Sequence, residues 1–134
     1  MPFKRIRATG TIAALAATLG FFPLPSSAEG DRANAPVTLI NAFEIDEDKL
    51  GETISFWERA RDFLATQPGY ISTRLHQSLS PDARFQLVNV ARWESPQAFQ
   101  AAIGKMRASG LGSEMKGTVF HAALYEVIRS DEER

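Results

Sequence analysis

Two side chains set four residues apart, Asn89 and Trp93, fall on one alternate row of an apolar segment, Phe85, Leu87, Asn89, Ala91, Trp93. A third, Asn41, interrupts another apolar row, Val37, Leu39, Asn41, Phe43, Ile45. A carboxamide in such a row is costly to bury unless something bonds to it. Its amide nitrogen offers donors, and an indole N–H offers one more, so the set could hold an anionic oxygen in a dry pocket. The bland alternative is that Trp93 is a core aromatic and that Asn89 satisfies a backbone group. His76 and His121 are the candidate proton acceptors, because an imidazole titrates near neutrality. His76 shares a row with Tyr70 and Arg74, and a place in an interface or on the surface is the favoured reading for it. His121 shares a row with Val119, Ala123 and Tyr125. Both rows of that segment are apolar enough to face inward, so whether His121 and Tyr125 reach Asn41 and Trp93 stays open.

The elements that must position these groups follow from periodicity. Val37–Ile45 alternates as a strand with one strongly apolar face. Asp46 is placed as an N-cap with Glu47 and Asp48 in the first turn, and Leu50, Ile54, Trp57, Arg61 and Leu64 then recur at helical spacing. That helix ends near Thr66, before Gln67-Pro68-Gly69. Residues 70–79 and 84–94 alternate again around the turn Ser80-Pro81-Asp82-Ala83, which predicts an antiparallel hairpin. Ser95-Pro96 opens a second helix whose buried stripe includes Ala98, Phe99, Ala102 and Met106. Glycines 110, 112 and 117 mark a loop, and residues 118–128 form the last strand. The order β-α-β-β-α-β is the ferredoxin-like α+β arrangement, a four-stranded antiparallel sheet with both helices on one face. Tyr70, Val88, Val90, Ile40, Ala42 and Leu124 are expected on the other face, where a symmetric homodimer is the simplest cover.

The leader carries its own signal. Lys4, Arg5 and Arg7 precede an apolar run from Ala8 to Phe22, and Ser26-Ser27-Ala28 offers small residues for cleavage after Ala28. The run is shorter than the roughly 18–20 residues of a spanning helix. The expectation is residues 1–28 as signal peptide, 29–36 as flexible leader, 37–129 as one domain and 130–134 as a charged tail. The product would be exported, to a periplasm or outside the cell, with no membrane span after cleavage. With three basic residues lost, the 15 Lys and Arg of the 134-residue chain fall to 12 against 16 Asp and Glu, a formal charge of −4. That balance argues against nucleic acid as a partner. There is no cysteine, which excludes thiol catalysis and disulfides. His76 and His121 are 45 positions apart with no carboxylate pattern, so no metal site is expected. Neither a dinucleotide fingerprint, a phosphate-binding loop nor a nucleophile elbow occurs.

The combination PGY-x-S-x-x-L-H (Pro68–His76) followed by N-V-x-x-W-E-S (Asn89–Ser95), with VTLINAFEI before it, resembles the antibiotic biosynthesis monooxygenase domain family. The resemblance spans Val37 to about Met106. It implies a dimeric α+β barrel and a small aromatic or hydrophobic ligand between sheet and helices. It also implies a cofactor-independent monooxygenase acting on an electron-rich aromatic or quinol, with Asn41, Asn89, Trp93, Tyr125, Phe99 and Trp57 binding substrate. His121 or His76 would be the base. The departures weigh on this. Phe99 stands where phenol-oxidising members can carry a tyrosine. Haem-degrading members place a ligating histidine ten residues after the tryptophan, where this chain has Ile103, so haem degradation is not expected. The alternative is a non-catalytic dimer that holds a small hydrophobic ligand, in a binding or stress-related role.

Overall fold

The computed structural model describes residues 34–112 and 115–132. The signal peptide expected at residues 1–28 lies outside them, as do most of the expected leader and the last two residues of the tail. The elements are β1 (Val37–Ile45), a 3-10 turn (Glu47–Lys49), α1 (Leu50–Leu64), β2 (Tyr70–Gln77), β3 (Leu87–Trp93), α2 (Pro96–Ala108) and β4 (Thr118–Tyr125). The strands form one sheet in the order β2-β3-β1-β4, and every neighbouring pair is antiparallel. This is the ferredoxin-like β-α-β-β-α-β fold. Among the described residues no helix is long and apolar enough to cross a membrane.

The core lies between the sheet and the two helices. Leu39, Ala91, Trp93 and Ala102 are buried together, and Leu64, Ala98, Phe99 and Leu124 pack on them. Trp93 is 1% exposed. Its ring takes Tyr70 edge-on at 5.5 Å and Phe99 at 5.6 Å, geometry that adds about 0.5–1.5 kcal/mol per pair beyond area burial. At the other end Phe43 and Phe120 meet edge-on at 4.8 Å. There, too, Thr53 ties α1 to β4. Its hydroxyl donates to the Lys49 carbonyl at 2.8 Å, so the Thr118 hydroxyl, also 2.8 Å away, must be the donor between the two threonines.

Several sequence expectations are corrected. Leu124 faces the helices, because β4 presents its even row (Thr118, Phe120, Leu124) inward, as Phe43 opposite Phe120 requires. Tyr70 faces inward as well. The register of β2 shifts between Tyr70 and Ser72, so Ile71 is bulged out and Tyr70 leaves the outward row of Ser72, Arg74 and His76. Regular alternation would have put it outside. The third strand begins at Leu87, and Phe85 turns away to meet His121 edge-on, with ring centroids 5.5 Å apart. Asp46 makes no side-chain cap bond; a 3-10 turn opens α1 instead. Ser95 does cap α2, accepting from the Ala98 amide at 3.0 Å, with Pro96 in the first turn.

Among the described residues, an ionic cluster lies on the outer face of the sheet. A single Glu44 oxygen accepts from Arg84 at 2.9 and 3.2 Å and from His121 Nε2 at 2.8 Å. The Arg84 bond chiefly holds the Glu44 carboxyl below the ordinary carboxylate range, against partial desolvation, and His121 adds to the effect. A lowered folded-state value means that the stabilisation is present above the unfolded value of about 4.3 and is lost as pH falls through the folded one. Glu44→Gln is therefore expected to melt below the parent at neutral pH. The two melting curves should converge in acid, which thermal scans across pH would show.

Candidate functional site

A cavity of about 250 Å³ separates the inner face of the sheet from α1 and α2. It falls just below the ~300–1,000 Å³ of most small-molecule sites. Its floor is β1 and β3. Antiparallel register places Asn41 directly opposite Asn89, and both line the cavity. Directly opposed residues have Cβ atoms about 4.5–5.5 Å apart, so the two carboxamides form one polar patch in an apolar floor.

The orientation of Asn89 is set by its neighbours. Its Oδ1 accepts from Trp57 Nε1 at 3.0 Å and from the Thr73 hydroxyl at 2.7 Å. An indole nitrogen can only donate, so the oxygen must be the atom turned towards it. Asn89 is buried, yet Nδ2 is left without a partner among the described residues and opens on the cavity. Asn41 is complementary: its Oδ1 is buried with no partner. An unmet buried acceptor costs about 1–3 kcal/mol; the oxygen is shielded from the cavity as it stands, and rotation of the carboxamide would bring it within reach of a ligand hydroxyl. The patch thus offers one acceptor and one donor side by side.

Walls and rim complete it. Trp57 and Phe56 come from α1, Phe99, Ile103 and Met106 from α2, and Tyr70 and Trp93 from the sheet. The indole that bonds Asn89 belongs to Trp57, while Trp93 is a core aromatic whose ring forms a wall. Arg61 and Arg107 border the cavity from the two helices. Arg61 lies 5.2 Å over the Trp57 ring, a separation at which cation and indole attract.

Three sequence candidates lie elsewhere. His121 and Tyr125 share the odd row of β4 and face outward, opposite Ala42 and Thr38. His121 is engaged by Glu44. His76 is outward too, with Nδ1 3.2 Å from the Val88 carbonyl. The cavity therefore holds polar anchors and no histidine, and among the described residues no Asp or Glu lines it. No described group of three or more His, Cys, Asp or Glu could hold a metal. Ile103 lines the cavity without a donor atom, so the haem-ligating position of the haem-degrading relatives is not reproduced.

Sequence reading did not single out Thr73, Tyr70, Arg61 or Arg107 as site residues. Thr73 stood in the inward row of β2 and was readable there. Tyr70 was hidden by the bulge. Thr73→Val removes one of the two donors to Asn89, about 0.5–1.5 kcal/mol. If the cavity turns over a substrate, kcat/KM should fall roughly three- to tenfold, and Thr73→Ser should restore it.

Comparison with known proteins agrees with this architecture. A presumed monooxygenase from Shewanella loihica PV-4 is 52% identical, with a TM-score of 0.65, over 72% of this chain and 97% of that one. SnoaB, a cofactor-independent oxygenase from Streptomyces nogalater, is 25% identical with a TM-score of 0.57, over 74% of this chain and 99% of its own. The haem-degrader MhuD from Mycobacterium tuberculosis, solved with two haems in its active site, is 26% identical with a TM-score of 0.55, over 72% and 99%. No curated protein matches. Residues 36–104 match the family model described as antibiotic biosynthesis monooxygenase, and on that match and the 52% identity the chain belongs to the antibiotic biosynthesis monooxygenase family.

Proposed function

We propose that the protein is a cofactor-independent monooxygenase that oxygenates an electron-rich phenolic aromatic in the cavity between sheet and helices. The observation that carries this reading is the carboxamide pair, with Asn41 Oδ1 unmet and Asn89 Nδ2 turned into the cavity. A phenol enters with its hydroxyl on Asn41, and as it ionises the developing enolate oxygen is held by the Asn89 amide. The electron-rich ring then gives electrons to dioxygen. One oxygen atom becomes a carbonyl on a ring methylene, and the other leaves as water with the two hydrogens of that carbon. A simple quinol is instead oxidised to the quinone while dioxygen is reduced to hydrogen peroxide. With no imidazole or carboxylate on the wall among the described residues, the substrate must be acidic enough to ionise against the amides and the two arginines. SnoaB supports the chemistry by analogy of fold.

A second reading is favoured by that same lack of a lining base: a binding protein that holds an aromatic ligand and does not turn it over. Oxygen consumption over a panel of quinols and anthrone-like phenols, without added metal or flavin, separates the two. Uptake that is lost on combining Asn89→Ala with Trp93→Phe supports the enzyme. Tight aromatic binding without uptake sinks it and leaves the second reading.

Two further features belong to this proposal. A homodimer through the outer sheet face is supported by the exposure of Ile40, Val119 and Tyr125 there, and sedimentation of the purified protein tests it. Export is supported by the basic-then-apolar leader ending at Ala28. Intact-mass measurement of the protein from its native host would show a chain beginning at Glu29.

A further inference from the structure

Among the described residues that line the cavity, the charge has a single sign. Of the described lining residues, Arg61 and Arg107 are charged, and no carboxylate accompanies them. The chain as a whole is close to neutral, with 16 Asp and Glu against 15 Lys and Arg, so two arginines at the rim are a local excess of positive charge. The two come from different helices, Arg61 from α1 and Arg107 from the last turn of α2. Arg61 Nε donates to Asp62 at 2.9 Å, but that carboxylate is 71% exposed and does not line the cavity. Exposed pairs of this kind are weak and screened by salt. The contact also leaves the terminal Nη edge of the guanidinium outside it.

A continuous path joins this rim to the floor. Arg61 stacks on Trp57, and Trp57 Nε1 bonds Asn89. Asn41 Oδ1, beside Asn89, is buried and lacks a donor. A complementary ligand therefore has a hydroxyl donor at one end, a flat apolar body between the indole and phenyl walls, and an anionic group at the other end. A guanidinium presents parallel N–H donors that match a carboxylate.

We propose that the cavity selects an aromatic hydroxy-carboxylate, with the hydroxyl on Asn41 and Asn89 and the carboxylate held at the rim by Arg61 and Arg107. This rests on the reading above only in placing the ligand in this cavity; it does not require turnover. The arginines act as specificity-determining residues, and neutral phenols of the same shape are the discriminated class.

The test uses 6-hydroxy-2-naphthoate and its methyl ester as probes, measured by titration calorimetry against the purified protein. The acid is expected to bind about tenfold or more tighter than the ester, as charge-assisted bonds to an arginine pair require. That ratio should shrink with added salt. In the Arg61→Gln/Arg107→Gln variant, confirmed as folded by circular dichroism, the ratio should fall to about one. Equal affinity for acid and ester in the parent overturns the proposal, and so does failure of both to bind. A ratio that survives in the variant overturns the assignment to these arginines. Oxygen uptake is read separately on a quinol. Arginine-dependent acid binding without uptake keeps this inference while the oxygenase reading fails, and uptake with no acid preference does the reverse.

Discussion

Asn89→Ala is expected to lower cofactor-free oxygen uptake by about 10²–10³-fold, the usual cost of removing one positioned donor from a developing oxyanion. Two effects combine at this residue. The substitution removes Nδ2, the donor that opens on the cavity, and it deletes the acceptor shared by Trp57 and Thr73. The orphaned indole N–H then sits at the edge of the apolar pocket and competes for the substrate oxygen in a different place. Asn89→Asp separates the two effects. A carboxylate still accepts from Trp57 and Thr73, so the local network survives, but it presents negative charge to the enolate. Loss of activity in Asn89→Asp equal to that in Asn89→Ala, with an unchanged melting temperature, assigns the effect to the donor. Retention of activity in Asn89→Asp would remove Asn89 from the oxyanion role. Oxygen-electrode kinetics beside thermal scans make the measurement.

The largest effect on stability is expected at a position with no role in the chemistry. Gly69 has φ +89°, and its carbonyl accepts from the Glu94 amide at 2.8 Å, which locks the α1–β2 turn to the end of β3. A Cβ placed there would run into the Ala98 methyl on α2. Gly69→Ala therefore meets two penalties, about 1–2 kcal/mol for the left-handed backbone and about 1–3 kcal/mol for overpacking. The sum of roughly 3 kcal/mol corresponds to a fall in melting temperature of about 10–20 °C for a domain of this size. Combining Gly69→Ala with Ala98→Gly should recover the packing share and leave the backbone share. Ala98→Gly alone costs about 0.5–1 kcal/mol in a helix, so a double variant whose loss equals the sum of the two single losses would mean that the close approach to α2 contributes nothing. Because Tyr70 follows directly, the single variant should also disturb the ring set against Trp93.

How much of this was legible varies by element, for identifiable reasons. The strands around Asn41 and Asn89 could be read because a two-residue period with one polar interruption has few alternatives, and antiparallel order then brings the amides together. The second helix was legible from Ser95-Pro96, a cap whose chemistry is local. The inward face of β4 was not, because the sequence offers His121 and Tyr125 on one row and Phe120 and Leu124 on the other, with similar apolar content. Only the pairing of Phe120 with Phe43 across the sheet decides it, and that is a long-range fact. The early placement of Tyr70 failed because an inserted residue in a strand leaves no mark in composition. Arg61 was visible in the helical stripe, but its place beside Trp57 at the cavity rim depends on how α1 sits over the sheet.

The bulge at Ile71 separates two tasks that a regular strand would couple. Without it, the residue before Ser72 in the outward row would be Tyr70, and any change suited to one face of β2 would have to suit its start as well. With the slack taken up by one extruded residue, Tyr70 answers to the pocket while Ser72, Arg74 and His76 answer to whatever lies against the sheet. A substitution on the outer row of β2 thus leaves the wall beside Trp93 as it is. Loss of a single codon at Ile71 would fuse the two again.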